Sequence, residues 1–168
     1  GRSIWEGPEL IHHDFELSPF TENTFMYLWF DPTGCPSAQA EVIREYDMDR
    51  HEDTWEWFTC EHYLPEVIVP DWSHINDIEP IPDERSFLLS MRNQNAILRV
   101  DRDSGELEWH LGTGGDFELG EGAAFLRQHA LEVQPDGSLL FFDNGELDTR
   151  EYSRAVQLSL SFDEEGEP

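Results

Sequence analysis

The sequence predicts an all-β fold: a β-propeller of four-stranded antiparallel blades, with about three blades in 168 residues. The first observation is a threefold repeat whose copies open at His13, His74 and His129. In each copy an alternating acidic and apolar segment follows the histidine, then a turn and an apolar strand. The second observation is a tryptophan eight residues after an aspartate, at Trp57 and Trp109.

Each copy holds the elements of one blade in the same order. The inner strand follows the histidine, and an apolar second strand returns after the turn, as in HDFELSPFTENTFMYL. The third strands alternate with the period of two that a half-buried strand requires, at residues 42–49, 96–103 and 155–163. The tryptophans mark the outer strands of the first two blades. We therefore expect blades at about residues 8–60, 61–112 and 123–168.

Three blades form an open stack, whereas a propeller protects its sheet edges by closing a ring. We expect the other blades in a further part of the same polypeptide, and a second copy of the chain is the alternative. The first residues, GRSIWEG, lack a methionine and favour a piece of a longer protein.

The composition is strongly acidic, with 37 Asp and Glu against 10 Lys and Arg, a net charge of −27, and no lysine. Six Trp and eleven Phe argue against disorder. We expect a halophilic protein, because molar salt shortens the Debye length to about 3 Å and screens the self-repulsion. An ordinary acidic surface is the alternative. This charge makes nucleic acid and anionic membranes poor partners.

The sequence has no apolar run of the roughly 20 residues that a membrane span needs, and no signal-peptide pattern. We nevertheless expect an extracytoplasmic protein, secreted or at the cell surface. The two cysteines, Cys35 and Cys60, are too far apart for a CxxC motif. A disulfide between them and two free thiols both fit the sequence.

The end of each second strand lies on the same face as the histidines, since the inner strand leads away from that face and the second strand returns. This placement brings Arg92 beside His74, and Asn144 beside His129. A guanidinium offers a fork of donors to oxyanions, and imidazole can act as nucleophile, acid or base. The set suits transfer of an anionic group, although three histidines can also hold zinc.

Four segments resemble the arylsulfotransferase family, the aryl-sulfate sulfotransferases of bacteria and archaea that use no nucleotide donor. They read DWSHIN, SMRNQNAILRVDRDSGELEWHLG, RQHALEVQPDGSLLFFDNG and YSRAV, at residues 71–76, 90–112, 127–145 and 152–156. The resemblance is close over residues 70–160 and looser around HHDF.

The resemblance implies a six-bladed ring with the active site in its central channel and no cofactor or metal. It implies that a histidine takes a sulfuryl group from an aryl sulfate and passes it to a phenol. By its motifs, His129 is the nucleophile, and His74 and Arg92 stabilise the sulfuryl oxygens. An upstream histidine completes the site; it is His13 by the repeat register, with His12 beside it. Substrate-binding positions are then Asn144, His12 and Asn76.

Alternative interpretations accompany these residues. Each histidine by itself could be structural, and the chain could be a non-catalytic propeller that binds a partner or assembles at a surface. We expect His51, His62 and His110 to lie on the surface. Arg154 could pair with acidic neighbours or contact substrate.

Overall fold

The computed structural model describes residues 5–33, 40–166 and 168, and it is built almost entirely from β-strands. Eleven strands form three antiparallel sheets in these residues. Across the described residues, helical structure is limited to single turns at Thr59–His62, Pro82–Glu84 and Arg92–Gln94. The predicted all-β class and the antiparallel blades are therefore confirmed.

The sheets follow one another along the chain, and their strands lie in sequence order from the inner to the outer edge. The first sheet contains β1 (Ile11–Leu17), β2 (Thr24–Asp31), β3 (Ala40–Asp47) and β4 (Glu52–Phe58). The second contains β5 (Ile75–Ile81), β6 (Ser86–Met91), β7 (Ala96–Asp101) and β8 (Leu107–Gly112). The third contains β9 (His129–Val133), β10 (Leu139–Asp143) and β11 (Arg154–Leu158), and in the described residues it has no fourth strand.

Apolar side chains fill the space between successive sheets. Met26, Ile43 and Trp57 of the first sheet share a core with Phe87 and Leu98 of the second. The opposite face of the second sheet packs against the third through a second core, which contains Leu88, Ile97, Trp109, Leu131 and Phe141. Because each strand alternates between its two faces, the second sheet contributes to both cores. This face-to-face stacking is consistent with part of a propeller.

Carboxylates join the three inner strands β1, β5 and β9, which lie side by side. Asp14 of β1 accepts a hydrogen bond from the backbone N–H of Ile78 in β5, at 2.9 Å. Asp77 of β5 accepts one from the N–H of Leu131 in β9, at 3.1 Å. The repeated contact makes Asp14 and Asp77 equivalent positions, and it ties neighbouring blades together at the centre.

Cys60 is disulfide-bonded. Cys35, the other cysteine of the sequence, lies outside the described residues. No helix in the part of the chain that the structure describes is long and apolar enough to cross a membrane.

Candidate active site

His74 is held in the loop that leads into β5. Asp71 and His74 both adopt left-handed backbone conformations, with φ of 58° and 44°, which fold the loop back on itself. The His74 Nδ1 lies 2.6 Å from the Asp71 Oδ2. A carboxylate only accepts at this contact, so Nδ1 carries a proton and the ring orientation is fixed.

Arg92 follows directly on β6 and is tied to the same loop. Its backbone N–H donates to the His74 carbonyl at 3.1 Å, and its guanidinium donates to the Asn93 Oδ1 at 2.8 Å. Every other arginine that the structure describes forms an ion pair with a carboxylate, and Arg92 does not; the paired arginines are Arg44, Arg50, Arg85, Arg99, Arg102, Arg127, Arg150 and Arg154. In so acidic a chain this leaves one guanidinium in the site open to an external anion.

His129 begins β9 and is contacted by two groups at one ring nitrogen. Its Nδ1 lies 2.9 Å from the Arg127 carbonyl oxygen and 2.7 Å from the Asn144 Nδ2, which also donates to that carbonyl. Burial lowers the pKa of His129, and the charges of Arg92 and His74 lower it further, against the opposing hydrogen bond to Arg127. The imidazole is therefore held in its neutral form.

His12 and His13 reach the site from β1. The His13 ring lies 4.8 Å from the His74 ring, centroid to centroid, and 4.9 Å from the His12 ring. Burial lowers the pKa of His12 to about 4, with His13 and His74 adding to the effect. Burial also lowers the pKa of His13, followed by the neighbouring charges of His74 and His129. Several imidazoles packed together thus resist protonation.

A cavity of about 260 Å³ opens beside these rings. Its polar wall contains His12, His13, His74, Asp71 and Glu41, and its apolar wall is made by Leu10, Ile11 and Phe30. The cavity therefore combines groups for proton transfer with a surface that an aromatic ring can contact.

Asn76 is 7 % exposed, and its side-chain amide donates to the Gln128 carbonyl at 2.8 Å. The contact links β5 to the residue that precedes His129. Its Oδ1 is buried and has no hydrogen-bond partner among the described residues.

The histidines converge, but they do not occupy one repeat position. His13 directly precedes Asp14, and Asn76 directly precedes the equivalent Asp77. By the same contacts between strands, His129 holds this position in β9. His74 lies two residues before Asn76. The predicted common register is therefore wrong. The difference is local: His13 and His129 lie within their inner strands, whereas His74 lies in the loop before β5.

Two side chains of the site were not singled out in the sequence. Asn93 donates to the Asp71 carbonyl at 2.6 Å, while its Oδ1 accepts from both Arg92 and Arg127. Arg127 in turn pairs with Glu146, 3.0 Å away. Their only sequence signal is that Asn93 follows Arg92 in SMRN and that Arg127 lies two residues before His129 in RQH, which does not predict that the two side chains meet.

The remaining histidines and Arg154 lie in different surroundings. His51 and His62 are exposed as expected, and His62 stacks on Trp57. The prediction for His110 is wrong: its ring is half-buried against Tyr63, with a centroid distance of 5.4 Å. Arg154 forms an ion pair with the buried Asp143 at 2.9 Å, so its guanidinium is already engaged.

Zinc was the alternative ligand for the histidines. Within residues 5–33, 40–166 and 168, no group of three or more His, Cys, Asp or Glu side chains could hold a metal ion. The imidazoles instead contact one another, Asp71 and backbone oxygen.

The fold and the site together define a partial propeller with imidazoles, a guanidinium and amides at its centre. The family model for arylsulfotransferase (ASST) matches residues 37–162, and the chain belongs to this family. Membership supports sulfotransferase activity in general; His12 and His13 lie outside the matched range. A comparison with curated proteins finds no match.

Proposed function

We propose that this protein transfers a sulfuryl group from an aryl sulfate ester to a phenol, with His129 carrying the group as a sulfohistidine. The observation that carries the proposal is Arg92, the described arginine that lacks a carboxylate partner, beside imidazoles whose pKa values are lowered. A free guanidinium would bind the sulfate oxygens, and a neutral imidazole has the lone pair that a nucleophile needs. Family membership supports the same reaction class.

The contact of His129 with the Arg127 carbonyl supports the choice of nucleophilic atom. The Arg127 carbonyl oxygen only accepts, whereas the Asn144 amide nitrogen only donates, so the two contacts at Nδ1 favour opposite tautomers. In the tautomer that bonds the Arg127 carbonyl, Nδ1 carries the proton and the nucleophilic lone pair lies on Nε2. In the first half-reaction Nε2 attacks sulfur and the S–O bond to the aryl oxygen breaks. In the second half-reaction a phenol oxygen attacks the same sulfur and the S–N bond breaks, which restores His129.

Arg92 and His74 would stabilise the charge that develops on the sulfuryl oxygens. The hydrogen bond from the Arg92 backbone N–H to the His74 carbonyl supports this pairing, since it holds the two residues side by side. Asp71 holds the His74 ring through Nδ1 and directs the other nitrogen away from itself. His13, with its ring against that of His74, would complete the site from the first blade.

The test uses the full 168-residue chain in molar KCl with a chromogenic aryl sulfate and an acceptor phenol. We expect release of the chromogenic phenol without a nucleotide donor, ping-pong kinetics, and an acid-labile sulfo group on His129 by mass spectrometry. His129→Ala should abolish both half-reactions. Arg92→Ala should lower kcat by about a hundredfold or more, with less effect on KM.

Arg85→Ala is the matched control, because Arg85 forms an exposed ion pair with Asp103 and should leave activity unchanged. Full activity in His129→Ala, without a labile sulfo group on the wild type, would contradict the nucleophile assignment. A folded wild-type chain that releases no phenol would instead favour the non-catalytic binding module.

A further inference from the structure

Glu41 is a buried carboxyl group in the wall of the histidine cavity, and no role was expected for it from the sequence. It lies near the start of β3 on the first blade and is 1 % exposed. Its backbone is held by the Thr59 hydroxyl, which donates to the Glu41 carbonyl at 2.6 Å. The side chain reaches towards the second blade and accepts a hydrogen bond from the hydroxyl of Ser73, the residue before His74.

Glu41 lacks the cation that neutralises the two carboxylates with 0 % exposure. Glu45 forms an ion pair with Arg102, and Asp143 forms ion pairs with Arg150 and Arg154. No described arginine or histidine lies within ion-pair distance of Glu41. Burying a carboxylate without a cation is costly, and a proton removes the cost.

We propose that Glu41 donates and accepts the proton in the transfer reaction. It thereby widens the range of sulfuryl donors to aryl sulfates whose phenols are weakly acidic. This role rests on the proposed function. Burial raises the pKa of Glu41, with Asp71 adding to the effect, against the opposing hydrogen bond from Ser73. Burial thus shifts Glu41 towards its acid form.

The proton balance closes over one catalytic cycle. When the S–O bond breaks, the aryl oxygen leaves as a phenoxide and takes the proton from the Glu41 carboxyl, giving a neutral phenol and a carboxylate. The acceptor phenol then gives its proton to that carboxylate as its oxygen attacks the sulfohistidine. Glu41 returns to the acid form, and no other proton source is needed.

The cavity wall places Glu41 among the groups that would surround a bound aryl ring. Leu10, Ile11 and Phe30 provide the apolar contacts, and Phe30 is the strand partner of Glu41 in β2. The charged and titratable neighbours of Glu41 in the same cavity are His12, His13, Asp71 and His74. An aryl ring on the apolar wall would thus occupy the cavity that Glu41 lines.

The first test compares donors that differ in their leaving group. Glu41→Gln keeps the size and the contact with Ser73 but cannot give up a proton. We expect kcat with phenyl sulfate to fall on the order of a hundredfold, and kcat with 4-nitrophenyl sulfate to change little, because nitrophenolate leaves without protonation. Ser73→Ala, which removes the hydrogen bond but keeps the acid, is the control and should affect both donors equally.

The second test needs no turnover. Infrared spectroscopy of the full chain at neutral pH should show a component of the protonated carboxyl C=O band that Glu41→Gln removes and Asp136→Asn leaves, since the pKa of Asp136 is lowered. Circular dichroism in molar KCl checks that each variant is folded.

The outcomes separate the two proposals. Equal loss of activity with both donors in Glu41→Gln, or an infrared spectrum that this change leaves intact, overturns the role of Glu41 while His129-dependent transfer stands. A folded wild-type chain without turnover overturns the proposed function and the role together.

Discussion

At the scale of single residues, the site depends on which charged side chains already have an ion-pair partner within the protein and which do not. Asp143 is fully buried and is neutralised by Arg154 and Arg150, so it organises the end of β10 without being open to a ligand. Arg92 is in the opposite situation, with an amide oxygen as its side-chain partner. The ion pairs therefore distinguish Arg92, whose guanidinium can bind an external anion, from Arg150 and Arg154, which stabilise the fold.

Asn144 tests how much the orientation of His129 contributes. Asn144→Ala removes the amide next to Nδ1 and the hydrogen bond to the Arg127 carbonyl. We expect kcat to fall by less than it does in Arg92→Ala, because the imidazole keeps its own contact with Arg127. Steady-state kinetics with one aryl sulfate would measure both variants side by side. A larger loss in Asn144→Ala than in Arg92→Ala would show that ring orientation, rather than charge, dominates the barrier.

At the scale of strands, the inner edges of the blades are joined by carboxylates that repel one another. Asp77 accepts from β9, and Glu79 accepts from the same strand at the Val133 N–H, 2.9 Å away. Burial raises the pKa of Asp77 from 3.8 to about 7, and the neighbouring Asp14 adds to the shift. The junction between blades is therefore sensitive to pH near neutrality.

The sign of this effect follows from proton linkage. The folded chain holds the Asp77 proton more tightly than the unfolded chain, so the contribution of Asp77 to stability is present at low pH and is lost as pH rises from 3.8 to about 7. We expect Asp77→Asn to reduce the fall in Tm between about pH 5 and about pH 8. Thermal unfolding followed by circular dichroism in molar KCl would measure it.

Asp136→Asn is the control, because the Ser138 hydroxyl lowers the pKa of this exposed carboxylate, and its replacement should leave the fall in Tm intact. An unchanged pH dependence in Asp77→Asn would show that other groups control the junction.

At the scale of the whole molecule, charge opposes folding. A net charge of −27 includes carboxylates on the surface and along the inner strands, and no lysine offsets them. The two apolar cores between the sheets must therefore form against strong self-repulsion.

We expect stability to rise with salt, because screening reduces the repulsion between carboxylates. The Tm should increase from dilute buffer to molar KCl, measured by circular dichroism. Sucrose at matched osmolality is the control, since it changes hydration without screening charge. A Tm that is equal in dilute buffer and molar KCl would contradict the halophilic prediction.

The sequence by itself determined the class of fold, because a strand records its burial in a local period of two. The apolar runs at β2, β6 and β10 and the buried Trp57 and Trp109 lie where that period predicts. It also determined the chemical types at the site, since His74, Arg92 and His129 stand in motifs that resemble one family.

The tertiary structure alone decided how these groups meet. His74 reaches the site from the loop before β5, whereas His13 and His129 reach it from within their inner strands. Glu41 and Ser73 are 32 residues apart in sequence and meet only across two blades. Local patterns record which face of a strand is buried, whereas contacts between blades depend on register and packing over long sequence distances, which no local period contains.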